Sequence, residues 1–440
     1  MDSSASEART SRPARELPPE LPSQIASAPP APSGRGHAFR ALRNRGYRAY
    51  FVAQVVSFAG AWMQTVAQGW LVYRITGSSF LLGLVAFLSQ IPVLFLSPFA
   101  GVWIDRLPLR KLVAWTQALL ALQAAALAVL TLTGQVTYQW ILGLGLFAGL
   151  VNAIDMPARQ TYLVEVAGPE DLSSAIALSS SAFNTARVLG TSVGGVIVAT
   201  LGETACFAIN TLTFTAMIAT VLFVTPPHVR PMRAVEPPLR ALREGFAYAR
   251  REHHTRTVLP LIALVSLIAS PYLPMLPVFA KSVLAGGPEL LGGLNAAVGL
   301  GSIAGALGVA AVVNRKLLFP RVGLGMAALG GALVIVGLSH WTWLTLLALP
   351  VSGFGFVTFL SSSNTLLQTE GEPAFHGRVM ALYSMVSIGL FPVGTLLFGA
   401  LGDAIGVGPT VAVGGLATFA IAAWLRRRVP AFRPAAEEGA

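Results

Sequence analysis

The chain has 440 residues, of which 54% are hydrophobic and only 11% charged, a balance that excludes an ordinary soluble protein of this length. Its net charge of +11 would suggest nucleic acid in a soluble protein, but the bases fall between apolar runs, where they act in membrane electrostatics instead. A single cysteine, Cys206, excludes an intrachain disulfide and a cysteine-based metal site.

In chain order, residues 1–46 are dominated by Pro, Ser, Ala and Arg, and no apolar stretch precedes a small-residue cleavage site. They read as a disordered cytosolic tail. Apolar spans follow near 49–73, 80–104, 110–133, 138–156, 172–200 and 203–224. Six more lie near 257–281, 289–313, 318–338, 341–366, 378–402 and 407–425. Spans of this length cross about 30 Å of hydrocarbon at 1.5 Å per residue, and helices satisfy their own backbone groups there. The expectation is an all-α polytopic membrane protein with twelve transmembrane helices. Residues 47–224 form one six-helix bundle and 257–425 the other. The connection 225–256 is a central cytosolic loop with one amphipathic basic helix near Pro238 to Arg251, and 426–440 form a cytosolic C-terminal tail.

With both termini inside, 27 of the 30 Lys and Arg lie in cytosolic segments. Arg74 and Lys281 fall outside and Arg187 within a span. The positive-inside rule therefore predicts a multi-pass protein of the cell inner (cytoplasmic) membrane with both termini cytosolic. The two halves also match weakly at an offset of 204 residues: Pro169 with Pro373, Ala177 and Leu178 with Ala381 and Leu382, Gly195 with Gly399, and Gly202 with Gly406.

Between spans two and three stands GVWIDRLPLRK, four charges in seven positions of a chain poor in charge. Together with NAIDMPARQ (152–160), AFNTARVLG (182–190), FAINTLTF (207–214), LPVFAK (276–281) and HGRVMALY (376–383), it resembles the major facilitator superfamily. Within that superfamily it is similar to the branch of the enterobactin exporter, secretion effectors and drug-efflux proteins. The resemblance covers residues 40 to about 425. It implies two pseudo-symmetric six-helix bundles and a secondary transporter. Gly101, Asp105, Arg106, Arg110 and Lys111 match the superfamily's loop pattern, while Pro108 and Leu109 replace its usual Gly and base. The resemblance implies that Asp105 meets the start of span eleven near Gly377 to Ala381, with Arg378 beside it. A cytosolic gate needs directional, reversible contacts of this kind; the alternative is that these charges only hold topology. Asp155 is open to three readings: a gate partner, a proton-coupling carboxylate or a passive boundary residue. Arg159, four residues on, faces it if the helix continues past Pro157.

Ionisable groups inside a span default to functional hypotheses. Arg187, with Asn184 on the same face, is either a contact for an anionic or polar ligand group or a hydrogen-bonding hub between helices. In the resembled fold, spans one, four, seven and ten line the cavity. Here they bring Trp62, Gln64 and Gln68, then Asn152, then Ser270 and Tyr272, then Phe354, Ser361 and Asn364. Such a mixed polar and aromatic lining suits an amphipathic small molecule. Pro271, Pro274 and Pro277 predict a broken seventh span. Span five keeps Gly190, Gly194 and Gly195 of the family's antiporter signature, but Thr191 stands where that signature has proline.

No GxxxxGK[ST] or HExxH occurs, and His253 with His254 sits in a basic loop, so no cofactor, metal or catalytic activity is expected. The expected function is export of a siderophore-like or drug-like molecule by alternating access, with protons as the coupling ion and the chain working as a monomer in the bilayer. Uptake, lysolipid flipping, or a non-transporting sensor or assembly role remain as alternatives.

Overall fold

The computed structural model describes residues 39–226, 238–311, 317–370 and 375–428. The first half holds α1 (Arg45–Thr76), α2 (Ser79–Arg106), α3 (Leu109–Leu132), α4 (Tyr138–Ala167), α5 (Leu172–Leu201) and α6 (Glu203–Phe223). Then come α7 (Pro238–Arg251), α8 (His253–Ile268), a 3-10 turn (Ser270–Tyr272), α9 (Leu276–Val278) and a π turn (Phe279–Val283). The second half continues with α10 (Pro288–Ala310), α11 (Leu318–Leu338), α12 (Thr342–Thr369), α13 (His376–Ile405) and α14 (Val407–Arg428). Among the described residues there is no β-strand.

Among the described residues, eleven segments are long and apolar enough to cross a membrane, with His253–Val283 counted as one. α1 is longer than most of them but more polar, since Gln54, Gln64 and Gln68 lie along it. With α1 the count reaches the expected twelve. Outward-facing Trp115, Leu122, Leu212 and Phe223 are all exposed. In water such a surface would drive aggregation; in a bilayer it is the lipid contact.

Several boundaries differ from the sequence reading for local reasons. Residues 40–46, expected in the tail, form a 3-10 turn and the start of α1, with Ala41 fully buried. Asn44 caps that start, its Oδ1 accepting from the N–H groups of Gly46 at 2.9 Å and Tyr47 at 3.2 Å. The fourth span does not stop at 156: α4 runs through Pro157 to Ala167. Membrane helices tolerate an internal proline when neighbours satisfy the freed groups. The seventh span is broken, as its prolines predict, over residues 269–283.

The halves meet along two seams, α2 with α13 and α5 with α10. Both depend on small residues that let backbones touch. A Cβ on Gly399 would stand 2.5 Å from the Ser79 carbonyl of α2, and one on Gly195 would collide with the backbone of Gly292 in α10. Gly195 and Gly399 are also partners in the sequence offset, so the repeat positions occupy corresponding seams. The matched pair Gly202 and Gly406 follow α5 and α13 at φ of +80° and +92°, a conformation that favours glycine. Pro373 lies outside the described residues.

Candidate functional site

The end of the molecule that carries the α2–α3 connection and α7 is rich in Arg and is called the basic end; the other is the far end. At the far end, polar contacts join the two halves directly. Asp403, near the C-terminus of α13, caps α2: its Oδ1 accepts from the Ser79 N–H at 2.6 Å. Its Oδ2 accepts from the Ser78 hydroxyl at 2.6 Å and the Phe80 N–H at 3.2 Å. The Tyr73 hydroxyl hydrogen-bonds Ser282, and the Lys281 ammonium stands 5.7 Å over the Tyr73 ring. Arg74 pairs with Glu203 at 2.7 Å within the first half. None of this network was read from the sequence beyond Gly399 and Gly406 as repeat positions; an acid near the outer end of span eleven was the available signal.

Asp155 is the one charged residue among the described residues that is fully buried. Its Oδ1 accepts from the Thr116 hydroxyl at 2.7 Å and the Gln117 amide at 2.9 Å, both from α3. Its Oδ2 lies 2.9 Å from Nε of Arg159, one turn along α4, in charge contact but outside hydrogen-bonding geometry. Two further atoms of the cluster, Nη1 of Arg159 and Oε1 of Gln117, are buried without a hydrogen-bond partner. The Arg159 guanidinium sits 4.7 Å above the Phe58 ring, a cation–π contact from α1. The continuing helix brings about the i, i+4 pair that the sequence suggested. The α3 donors Thr116 and Gln117 were missed; polar residues in an outer span were the signal.

Of the other residues expected at the gate, those whose side chains are described have other partners or face outward. Arg110 donates through Nε to the Val221 carbonyl at the end of α6, at 3.0 Å. Arg378 pairs with Glu244 of α7 at 2.7 Å and stands 5.3 Å over Phe375. Lys111 is exposed. Gly101, Asp105 and Arg106 are on the last turns of α2, and their side-chain surroundings lie outside the described residues.

The expected cavity residues divide into two groups. Gln64 is fully engaged within the first half. Its amide donates to Gln123 Oε1 of α3 at 3.0 Å, and its Oε1 accepts from Asn210 of α6 at 2.7 Å. The Thr213 hydroxyl completes this chain on Asn210 Oδ1 at 2.9 Å. Gln64→Leu leaves the Asn210 amide and the Gln123 carbonyl unpaired, so it should cost about 1–3 kcal/mol in an SDS unfolding titration of the purified protein. A loss below about 0.5 kcal/mol would mean that the amide chain carries no stability. Ser270 donates to the Ser266 carbonyl at 3.3 Å, Tyr272 hydrogen-bonds Ser352 at 2.9 Å, and Asn364 hydrogen-bonds Tyr383. Phe354 packs on Gly305 and Gly308 of α10, and the Ser361 carbonyl accepts from Thr365 at 2.9 Å.

In the second group, Trp62 and Phe58 of α1 meet Phe183 of α5 edge-on, at centroid distances of 5.7 Å and 5.3 Å. Asn152 and Gln68 are half-buried, Gln68 beside Gly145 of α4. Arg187, one turn beyond Phe183, is half-buried, and its Nη2 donates to Asn184 Oδ1 at 3.4 Å. Tyr272 of the broken seventh span is its electrostatic neighbour in the opposite half.

Two six-helix halves joined by small-residue seams, with ionisable groups held inside the membrane, define a transporter of the major facilitator fold. The model of the transmembrane secretion effector family matches residues 36–439, and the chain belongs to that family. It is 29% identical over 374 residues to the multidrug efflux pump Tap of Mycolicibacterium fortuitum, covering 81% of this chain and 89% of that one. To the enterobactin exporter EntS of Shigella flexneri it is 25% identical over 361 residues, covering 81% and 85%. The solved nucleoside transporter NupG superposes with a TM-score of 0.67 at 14% identity, over 88% of this chain and 99% of that one. This chain is therefore a multi-pass membrane transporter of an exporter family and not an enzyme.

Proposed function

We propose that the protein is a secondary active exporter of the cell inner membrane. It carries an amphipathic small molecule outward by alternating access, in exchange for protons. The far-end latch carries this reading: Asp403 on α2, Tyr73 on Ser282 and the backbone contact of Gly195 with Gly292 close the halves against each other there. Such contacts are directional and local, suited to a seal that opens once per cycle. The basic end is the cytosolic one, with both termini inside, by the distribution of Lys and Arg. Residues 47–224 and 257–425 act as the two rocking bundles, and one chain suffices. The relatives named as a multidrug pump and an enterobactin exporter favour a drug-like or siderophore-like substrate.

Asp155 is the coupling carboxylate of this reading. It is buried, and its sole charge partner among the described residues is Arg159. A proton on its Oδ2 would release that arginine, and its loss would restore the pair. The expected cycle takes a proton at Asp155 from the far side and releases it to the cytosol as substrate loads.

The test is proton movement in everted vesicles energised to an acid interior and challenged with siderophores, macrolides and lipophilic cations. Substrate-dependent proton release is expected, abolished by Asp155→Asn with insertion unchanged. Release that persists in that variant would remove Asp155 from coupling. Substrate accumulation without proton release would remove proton exchange itself.

A further inference from the structure

The wall formed by α1 and α5 holds an uncompensated charge beside an unbroken run of aromatic faces. Its order from the basic end is Arg159 over Phe58 at 4.7 Å, Phe58 edge-on to Phe183 at 5.3 Å, and Phe183 against Trp62 at 5.7 Å. Arg187 follows one helical turn after Phe183 on the same side of α5. Arg159 is neutralised by Asp155 at 2.9 Å, but Arg187 has no such partner. Among the described residues its hydrogen bond is the 3.4 Å contact to the neutral Asn184, longer than a strong guanidinium bond. The other acids of the described spans, Asp105, Glu165, Glu203, Glu289 and Asp403, stand within three residues of a helix end. Among the described residues the interior therefore holds two guanidinium groups against one carboxylate.

A half-buried arginine in a membrane interior is costly unless its charge is met, and an anionic ligand group would meet it. The rings next to it offer flat aromatic faces, with the Trp62 indole N–H as one further donor. A planar guanidinium prefers the bidentate oxygens of a carboxylate, sulfonate or phosphate, and aromatic faces prefer flat aromatic bodies. We infer that the substrate is an aromatic anion whose acidic group is held by Arg187 while its ring system lies against Phe183, Trp62 and Phe58. Tyr272, the electrostatic neighbour of Arg187 in the broken seventh span, brings the second half to the same point. This proposal rests on the exporter reading and narrows its substrate class.

Two probes with one aromatic body and opposite charge test it: 1-pyrenesulfonate and trimethyl(1-pyrenylmethyl)ammonium. Each is titrated against purified protein in lipid nanodiscs, with energy transfer from Trp62 read as the difference between the parent and Trp62→Phe. The expected result is saturable Trp62-dependent transfer to the sulfonate and none to the ammonium. Arg187→Gln should weaken sulfonate binding at least tenfold, and Arg187→Lys, which keeps the charge, should recover part of it.

Equal or tighter binding of the ammonium overturns the proposal without using any variant, so a failure of Arg187→Gln to fold does not protect it. Unchanged sulfonate binding in a folded Arg187→Gln protein overturns it as well. Silence from both probes also overturns the anion site. The exporter reading is judged separately, because proton release in everted vesicles uses neither probe.

Discussion

Asp403→Ala opens the far end of the molecule. In the parent, one carboxylate from α13 accepts three hydrogen bonds from the first residues of α2 and its preceding turn, at 2.6, 2.6 and 3.2 Å. It lies at a helix N-terminus, where an anion is favoured by the free N–H groups and the helix dipole. Hydrogen bonds to a charged acceptor are each worth about 1.5–3 kcal/mol when buried, but Asp403 is exposed, so about 1–2 kcal/mol for the cap is the appropriate scale. In the proposed cycle that energy differs between its two ends, because the cap exists only while α2 and α13 touch at this end. Its loss should shift the population toward the far-open state about five- to thirtyfold.

Spin labels at Ile75 and Ile405, in a Cys206→Ser background, report the distance across this seam by pulsed electron resonance. Both sites are exposed. The expected result is growth of a longer-distance population in Asp403→Ala and a smaller growth in Asp403→Asn, which keeps an acceptor for one N–H. Identical distributions in parent and Asp403→Ala would mean that the small-residue seams alone hold the far end shut.

The number of spans and the break in the seventh are legible in the sequence because each has a local cause. Apolar length sets a span, and three prolines within seven residues interrupt a helix. Pairings within the membrane are not local. Gln64 reads as a cavity residue because it lies on the first span, yet it is consumed by Gln123 and Asn210 from outer spans. Rotation of a helix by one residue about its axis, 100° at 3.6 residues per turn, decides which neighbour a polar side chain meets. In a helix that is apolar on every side, the hydrophobic pattern leaves that rotation undetermined. Asp155 and Arg159 were legible as a pair for the opposite reason: the spacing of four belongs to one helix and needs no knowledge of its neighbours.

That pair is also where a single substitution should cost the most. Arg159→Met removes the charge partner of a fully buried carboxylate and leaves its Oδ1 with Thr116 and Gln117 but its Oδ2 with nothing. Removing one member of a buried ion pair costs about 3–5 kcal/mol, because the stranded charge keeps its desolvation penalty. The reverse change should be milder. Arg159 has a side chain 11% exposed, and after Asp155→Asn it can carry its charge toward the basic end while retaining Phe58. The double variant strands no charge, so it should recover most of the loss, as buried pairs replaced by neutral groups commonly do. SDS unfolding titrations of the four proteins provide the cycle. The expected order of stability is parent, then the double variant and Asp155→Asn close together, then Arg159→Met well below. If Arg159→Met costs less than about 1 kcal/mol, the arginine is not neutralising Asp155 in the folded protein, since a buried carboxylate cannot lose its only counterion so cheaply. If the double variant is no better than Arg159→Met, the loss lies in the contact with Phe58 rather than in the charge. Either result would remove the physical basis for a proton at Asp155 moving Arg159, and the coupling site would have to be sought elsewhere in the molecule.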